Sequence, residues 1–237
     1  MFRGSWWRGT DCGPSDPEVY PGRVPLNADR YFDSNCNGLS GVDESDTPYE
    51  EKYCAHYPPK GVAILGDSAG AHFALPPNWF RPTLFNETTF QNFKMIIGNE
   101  FDWPMLSWVT GMSDNCWSED VRSYSEVQMD SIYSRLLDWN RCGLNDYQNQ
   151  GNNGAKSSSM ATTVVRGLTR RQDFDRPQIV FLSLVANDVC SGHVPTENWF
   201  TSEKQFHEKT VETLTYLEHG WLMAVLQGQV HFLFKVI

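Results

Sequence analysis

Apolar positions are spread unevenly along the 237 residues. Up to about residue 58 they follow neither the alternation of a strand nor the period of a helix. Asp, Asn, Gly and Pro interrupt them throughout, so residues 1–58 read as loops that need outside support. From Gly61 the pattern changes. Val62–Leu65 is a continuous apolar run, the signature of a buried strand. Glu126–Asn140 sets Met129, Ile132, Tyr133, Leu136 and Leu137 on one helical face, and Ser157–Arg171 predicts a second helix. Ile179–Val185, introduced by Pro177, is a second buried strand. Ser202–Glu218 reads as a helix whose Ser202 and Gln205 are spaced as a capping box, and Gln229–Ile237 reads as a third strand. Strands alternating with helices predict an α/β fold, a parallel sheet covered on both faces. The expected architecture over residues 59–237 is a three-layer α/β/α sandwich of the flavodoxin-like kind, with its crevice at the C-terminal strand ends.

Composition narrows the class. The chain is 40% hydrophobic and 14% aromatic, ample for a packed core. It holds no run of about 18 apolar residues, so no spanning helix is expected. Met1–Asp11 has no apolar signal-peptide region. Six cysteines and the sequon Asn86-Glu87-Thr88 nevertheless point to an oxidising compartment. A fragment whose leader lies upstream reconciles the two. Six cysteines allow about 15 pairings, and the sequence does not choose among them. The absence of any Cys-x-x-Cys pair argues against zinc on Cys36, Cys54, Cys116, Cys142 and Cys190. A net charge of −10 argues against nucleic acid as a partner and opposes an anionic lipid surface unless cations offset it. Trp6 and Trp7, with Phe2, read as an apolar contact for an upstream segment, with a membrane-touching edge as the alternative.

The first apolar run ends in Gly66-Asp67-Ser68-Ala69-Gly70, which places a serine among small residues at a strand edge. A serine hydroxyl attacks an ester only when a base takes its proton and donors hold the oxyanion. Two templates fit the motif. The Gly-x-Ser-x-Gly elbow of the α/β-hydrolases requires strands before Gly61, and the pattern shows none. The Gly-Asp-Ser motif of the SGNH (GDSL) esterases and lipases follows a first strand, with a glycine and an asparagine in later blocks. Asn153-Gly154-Ala155 and Asn187-Asp188 stand in those places. The roles that follow are Ser68 as nucleophile, with the backbone N–H groups of Ser68 and Gly154 and the amide of Asn187 as oxyanion donors. Each motif also has an ordinary reading: Ser68 as a helix N-cap, Asn153-Gly154 as a turn, Asn187 as a cap. The three in this order favour acyl transfer.

Longer blocks extend the likeness. They are Val19-Tyr20-Pro21-Gly22-Arg23, Asp33-Ser34-Asn35-Cys36-Asn37-Gly38, Gly66 to Phe73, Asn99-Glu100-Phe101-Asp102-Trp103-Pro104, Asp146-Tyr147-Gln148-Asn149 and Asn187 to Gly192. Over roughly residues 10 to 220 the chain thereby resembles the acyloxyacyl hydrolase family of the SGNH superfamily. The resemblance implies a secreted or lysosomal (vesicular) glycoprotein with carboxylic ester hydrolase activity. Its substrate would be the secondary fatty-acyl chains of lipopolysaccharide lipid A, with phospholipids as a second class. It also implies an upstream saposin-like lipid-binding segment, which the sequence does not contain. Two departures stand out. Val185 and Ala186 precede Asn187, where the family has a glycine. The family's base and its orienter form an Asp-x-x-His pair near the C-terminus, and none follows Asp188: His219 and His231 lack an aspartate three residues before them. The expectation is a hydrolase domain over 59–237 that is incomplete at its C-terminal end. The alternative is a catalytically incomplete, calcium-stabilised lipid-binding fragment or isoform.

Asp33-x-Asn35-x-Asn37-Gly38, followed by Asp43-Glu44, has the spacing of a calcium loop, with the Leu39 carbonyl as a further oxygen. No helix pattern flanks it, so it is no ordinary EF-hand. Asp11 to Gly22 resembles a calcium-binding motif of secreted proteins. The expected ligands of one or more structural Ca²⁺ ions are Asp11, Asp16, Asp33, Asn35, Asn37, Leu39 and Asp43. The competing reading is a solvated acidic loop held by disulfides.

Overall fold

The computed structural model describes residues 6–56, 59–87, 89–91, 93–112, 129–171, 173–184, 186–190, 200–226 and 232–234. Four parallel strands form one sheet: β1 (Gly61–Gly66), β2 (Tyr147–Gly151), β3 (Gln178–Ser183) and β4 (Phe232–Phe234), in the order β2-β1-β3-β4. β1 is fully buried because it has a parallel neighbour on each side and a packed layer on each face. Its alternate side chains split the core in two. Ala63 and Leu65 join Val180, Met160, Val164, Val165 and Leu217 on one face. Val62 and Ile64 join Tyr147, Phe181, Val109 and Tyr133 on the other. The result is a three-layer α/β/α sandwich, as the apolar pattern predicts, and it is consistent with the SGNH type that the resemblance implies. Because β2 and β3 flank β1 on opposite sides, the strand order reverses at β1, and the crevice rule for open α/β sheets places the ligand there.

β2 is the strand that the hydrophobic pattern does not reveal. Its sequence is Tyr-Gln-Asn-Gln-Gly, yet all but Gln150 are buried. The amides are satisfied internally: Gln148 Nε2 donates to the Thr169 carbonyl (2.8 Å), Asn149 Nδ2 to the Gly70 carbonyl (2.9 Å) and Gln150 Nε2 to the Gly167 carbonyl (3.0 Å). Its outer edge is covered by the N-terminal segment, with Gly9 N–H donating to the Tyr147 carbonyl and Asn149 N–H to the Trp7 carbonyl. Pairing the edge in this way satisfies backbone groups that would otherwise template association.

Three helix boundaries differ from the pattern. The helix expected over Glu126–Asn140 spans Ile132–Trp139, started by a Ser131–Ser134 capping box; residues 126–128 lie outside the described set. The helix expected over Ser157–Arg171 runs through α, π and 3-10 turns and stops at Gly167, because Thr169 and Arg170 are drawn to Gln148 and Asp146. The last helix extends past Glu218, covering Glu203–Leu226, with Ser202 and Gln205 exchanging the capping-box bonds. β3 covers Gln178–Ser183, and Val185 lies outside the described residues. Of the strand expected over Gln229–Ile237, Phe232–Phe234 is described and pairs with β3.

The N-terminal segment is held by polar contacts rather than by a core of its own. Disulfides join Cys12 to Cys36 and Cys54 to Cys142; Cys190 is a free, exposed thiol and Cys116 lies outside the described residues. One buried ion pair, Arg176–Glu50, binds it to the sheet side, and a second, Arg170–Asp146, lies at the start of β2. Among the described residues no helix is long and apolar enough to cross a membrane.

Candidate active site

Gly66 ends β1, and the chain turns at once into a four-residue helix, Ser68–Ala71. Asp67 is its N-cap: the carboxylate accepts the Ala69 N–H at 2.9 Å. Ser68 therefore occupies the first helical position and its hydroxyl is not spent on capping. The helix closes on His72 in the left-handed region (φ 56°), with Phe73 N–H donating to the Ser68 carbonyl at 2.8 Å. Gly151 allows the helix to lie against β2, since a Cβ there would meet the Ala71 nitrogen at 2.4 Å. Ser107 Oγ and Asn149 Nδ2 both donate to the Gly70 carbonyl, fixing the C-terminal side of the turn.

Ser68, Gly154 and Asn187 follow three adjacent parallel strands that end level. Gly66 pairs with Gly151 on one side and with Ser183 on the other. With strands spaced about 4.8 Å apart, the three strand ends lie within about 10 Å. Beyond them the loops stay joined: Asn152 N–H donates to the Gly66 carbonyl and Asp67 N–H to the Ser183 carbonyl. Gly154 sits at φ 74° with open space where a Cβ would be, so conformation rather than crowding calls for glycine. Asn187 lies inside the short helix Ala186–Val189 rather than at its cap, and its Nδ2 donates to the Ala155 carbonyl at 3.1 Å. An amide nitrogen carries two hydrogens, so one remains for another acceptor. Among the described residues nothing accepts from the backbone N–H of Ser68 or of Gly154.

Next to Asn187, the Asp188 carboxylate is buried and accepts from Ser157 twice, from N–H at 3.0 Å and from Oγ at 2.7 Å. This clamp joins the loop after β2 to the helix after β3. Sequence reasoning gave Asp188 no role, and only its place beside Asn187 could have drawn notice. Burial pushes the Asp67 carboxyl above its ordinary range, with the Asp188 charge adding to the effect. Burial pushes the His72 imidazole below its ordinary value. The His72 backbone N–H donates to the Ala69 and Ser68 carbonyls, and no side-chain hydrogen bond joins the imidazole to the Ser68 hydroxyl among the described residues. His219 lies on the last helix and His231 outside the described residues. A cavity of about 600 Å³ lined by Arg8, Tyr20, Asp146, Tyr147, Arg170 and Arg171 opens at the opposite, N-terminal end of β2.

The Gly-Asp-Ser turn thus follows the first strand of a 2-1-3-4 parallel sheet. The chain is 42% identical over 217 residues to an acyloxyacyl hydrolase of Mus musculus, covering 91% of this chain and 36% of the relative. It is 46% identical over 192 residues to one of Oryctolagus cuniculus (81% and 32%) and 41% identical over 217 residues to one of Homo sapiens (91% and 36%). Over these residues the chain belongs to the acyloxyacyl hydrolase family. It spans about a third of the length of the curated relatives it matches. No family model matches the sequence.

The residues expected to hold calcium divide by their partners. Asp33 accepts the N–H groups of Asn37 (3.1 Å) and Gly38 (2.8 Å), and the Cys12–Cys36 disulfide brings Asp11 beside that loop. Asn35 and Asn37 turn their amide nitrogens to buried Glu50 and their oxygens to Asn37 N–H and Leu39 N–H. Among the described residues Asp11, Asp16 and Asp33 have no basic partner. Asp43 instead faces Lys52, whose ammonium, with Ser45 and Thr47, holds the carboxyl well below the usual range. No group of three or more His, Cys, Asp or Glu side chains gathers among the described residues. An ion there would thus draw on amide and carbonyl oxygens beside Asp33, a donor set that suits a hard cation.

Proposed function

We propose that the whole protein is a serine esterase that releases fatty-acyl chains from acyloxyacyl esters, those of lipopolysaccharide lipid A foremost. The observation that carries the reading is the level ending of β2, β1 and β3, from which Gly154, Ser68 and Asn187 follow. Ser68 Oγ attacks the ester carbonyl. The N–H groups of Ser68 and Gly154 and the second hydrogen of Asn187 Nδ2 receive the oxyanion, each such donor contributing about 2.7–4 kcal/mol in comparable sites. The family resemblance assigns the base to an Asp-x-x-His pair, which the residues after Asp188 do not supply, so the activity is proposed for the whole protein. Two disulfides support a secreted or lysosomal setting. The saposin-like segment belongs to the same proposal.

Lipid A incubated with the full-length protein should release free fatty acid, read by mass spectrometry. Absence of release from lipid A, with hydrolysis confined to simple phospholipid esters, would overturn the substrate assignment. Calcium is proposed on Asp33, Asn35, Asn37 and the Leu39 carbonyl, with Asp11 and Asp16 adjoining. Asp43, taken by Lys52, is left out of the set. The ion would neutralise carboxylates that have no basic partner among the described residues, so chelation should lower the thermal midpoint.

A further inference from the structure

Downstream of the Ser68 helix, the described residues between 73 and 97 form 3-10 turns and most of a short helix, Phe93–Gly98, and they hold large apolar side chains in water. Phe73, Phe80, Phe85, Phe90, Phe93 and Ile97 are all exposed. Phe80 directly follows Trp79 in the chain, and ring contacts join Phe73, Phe85, Phe90 and Phe93 into one surface. Trp79 lies at its base, stacked on Phe93 (5.5 Å between centroids) and tilted on Phe90 (5.4 Å), with its indole N–H held by the Thr89 carbonyl. Phe85 meets Phe90 edge-on, and Phe101 links Trp79 to Phe73. A contiguous aromatic surface of this kind marks an interaction site. It is continuous with the candidate active site: Phe73 N–H bonds the Ser68 carbonyl, and Asn153 Nδ2 donates to the Glu100 carbonyl beside Phe101.

Charge identifies the occupant. Residues 73–97 carry Arg81 and Lys94 against Glu87, a local balance of +1 in a chain of −10. Arg81 and Lys94 are exposed and, among the described residues, have no ion-pair partner. The rest of the chain repels an anionic surface; this region does not. We infer that residues 73–97 dock on the surface of a lipid aggregate, the aromatic rings entering the acyl layer and Arg81 and Lys94 meeting headgroup phosphates. The esterase reading supports the choice of lipid over protein, and the inference adds a surface distinct from the reacting groups.

The test is co-sedimentation of the full-length protein with phosphatidylcholine vesicles, with and without phosphatidylglycerol. Asn86 of the sequon is exposed between Phe85 and Phe90, so the parent is the full-length protein as expressed, run beside the same protein after enzymatic removal of any glycan. The parent should bind both vesicles, and Ser68→Ala should bind equally, which separates docking from hydrolysis. Phe80→Ser/Phe93→Ser should lose at least about tenfold on both, given the transfer energy of a phenyl group. Phe80, 65% exposed, is the ring least engaged in the fold, so Phe80→Ser alone repeats the test if the double variant misfolds. Arg81→Glu/Lys94→Glu should weaken binding to the phosphatidylglycerol vesicles only. Unchanged binding by the Phe80 variants, or no binding by the parent, overturns the inference. So does a dimer that depends on Phe80 and Phe93 and ignores vesicles, since it would assign the surface to a second copy of the chain.

Discussion

The side-chain amide of Asn187 is tied to the carbonyl of Ala155, the residue after Gly154, at 3.1 Å. Two loops that leave the sheet on opposite sides of β1 are thereby locked together above it. The same junction is reinforced one residue on, where Asp188 accepts both polar hydrogens of Ser157. Fixed donors are what oxyanion stabilisation requires, because they need no reorganisation as charge develops.

Removing the Asp188 carboxylate should therefore cost stability. Asp188→Ala strands the buried N–H and hydroxyl of Ser157, a loss of about 1–3 kcal/mol. Asp188→Asn keeps one acceptor and should lose less. Urea denaturation monitored by tryptophan fluorescence checks the order; equal stability of Asp188→Ala and wild type would remove the clamp from the account.

The sequence revealed the layers of the fold wherever apolar runs wrote them. Val62–Leu65 and the Ile179 run were legible because a parallel strand buried on both faces must be apolar. β2 was not, because Gln148, Asn149 and Gln150 satisfy their amides inside the protein and leave no hydrophobic period. Ser68, Gly154 and Asn187 were legible from motif order, but their neighbours Asp188, Ser157 and Asn149 were not. Their roles depend on which loops meet, which only the 2-1-3 strand order decides. Asp67 as the cap, freeing Ser68, also needed the structure.

The two disulfides should differ in weight. Cys54–Cys142 closes a separation of 88 residues and Cys12–Cys36 one of 24. Chain entropy then gives about 4–5 kcal/mol for the first and about 3 kcal/mol for the second. Double serine variants compared by denaturation should rank in that order; the reverse would show that native-state contacts of the N-terminal loop dominate.

His72 should make stability depend on pH. Burial lowers its folded-state value below the ordinary 6.5. As pH falls through 6.5 the unfolded chain takes up a proton that the folded chain refuses, so stability is lost from there down to the folded value. Above 6.5 the contribution is fully present. His72→Asn, which tolerates the left-handed backbone at φ 56°, should flatten that slope. Denaturation midpoints between about pH 7.5 and 5 test this; parallel slopes in variant and wild type would contradict it.

The central claim is that Ser68 is the nucleophile of an acyl-ester hydrolase. Its most direct measurement is fatty-acid release from an acyloxyacyl lipid by full-length wild-type protein and by Ser68→Ala, with folding matched by circular dichroism. The account predicts a fall of more than about a thousandfold, the scale seen when a serine nucleophile is removed. Activity within about tenfold of wild type would contradict it and return Ser68 to an ordinary place in a strand-to-helix turn.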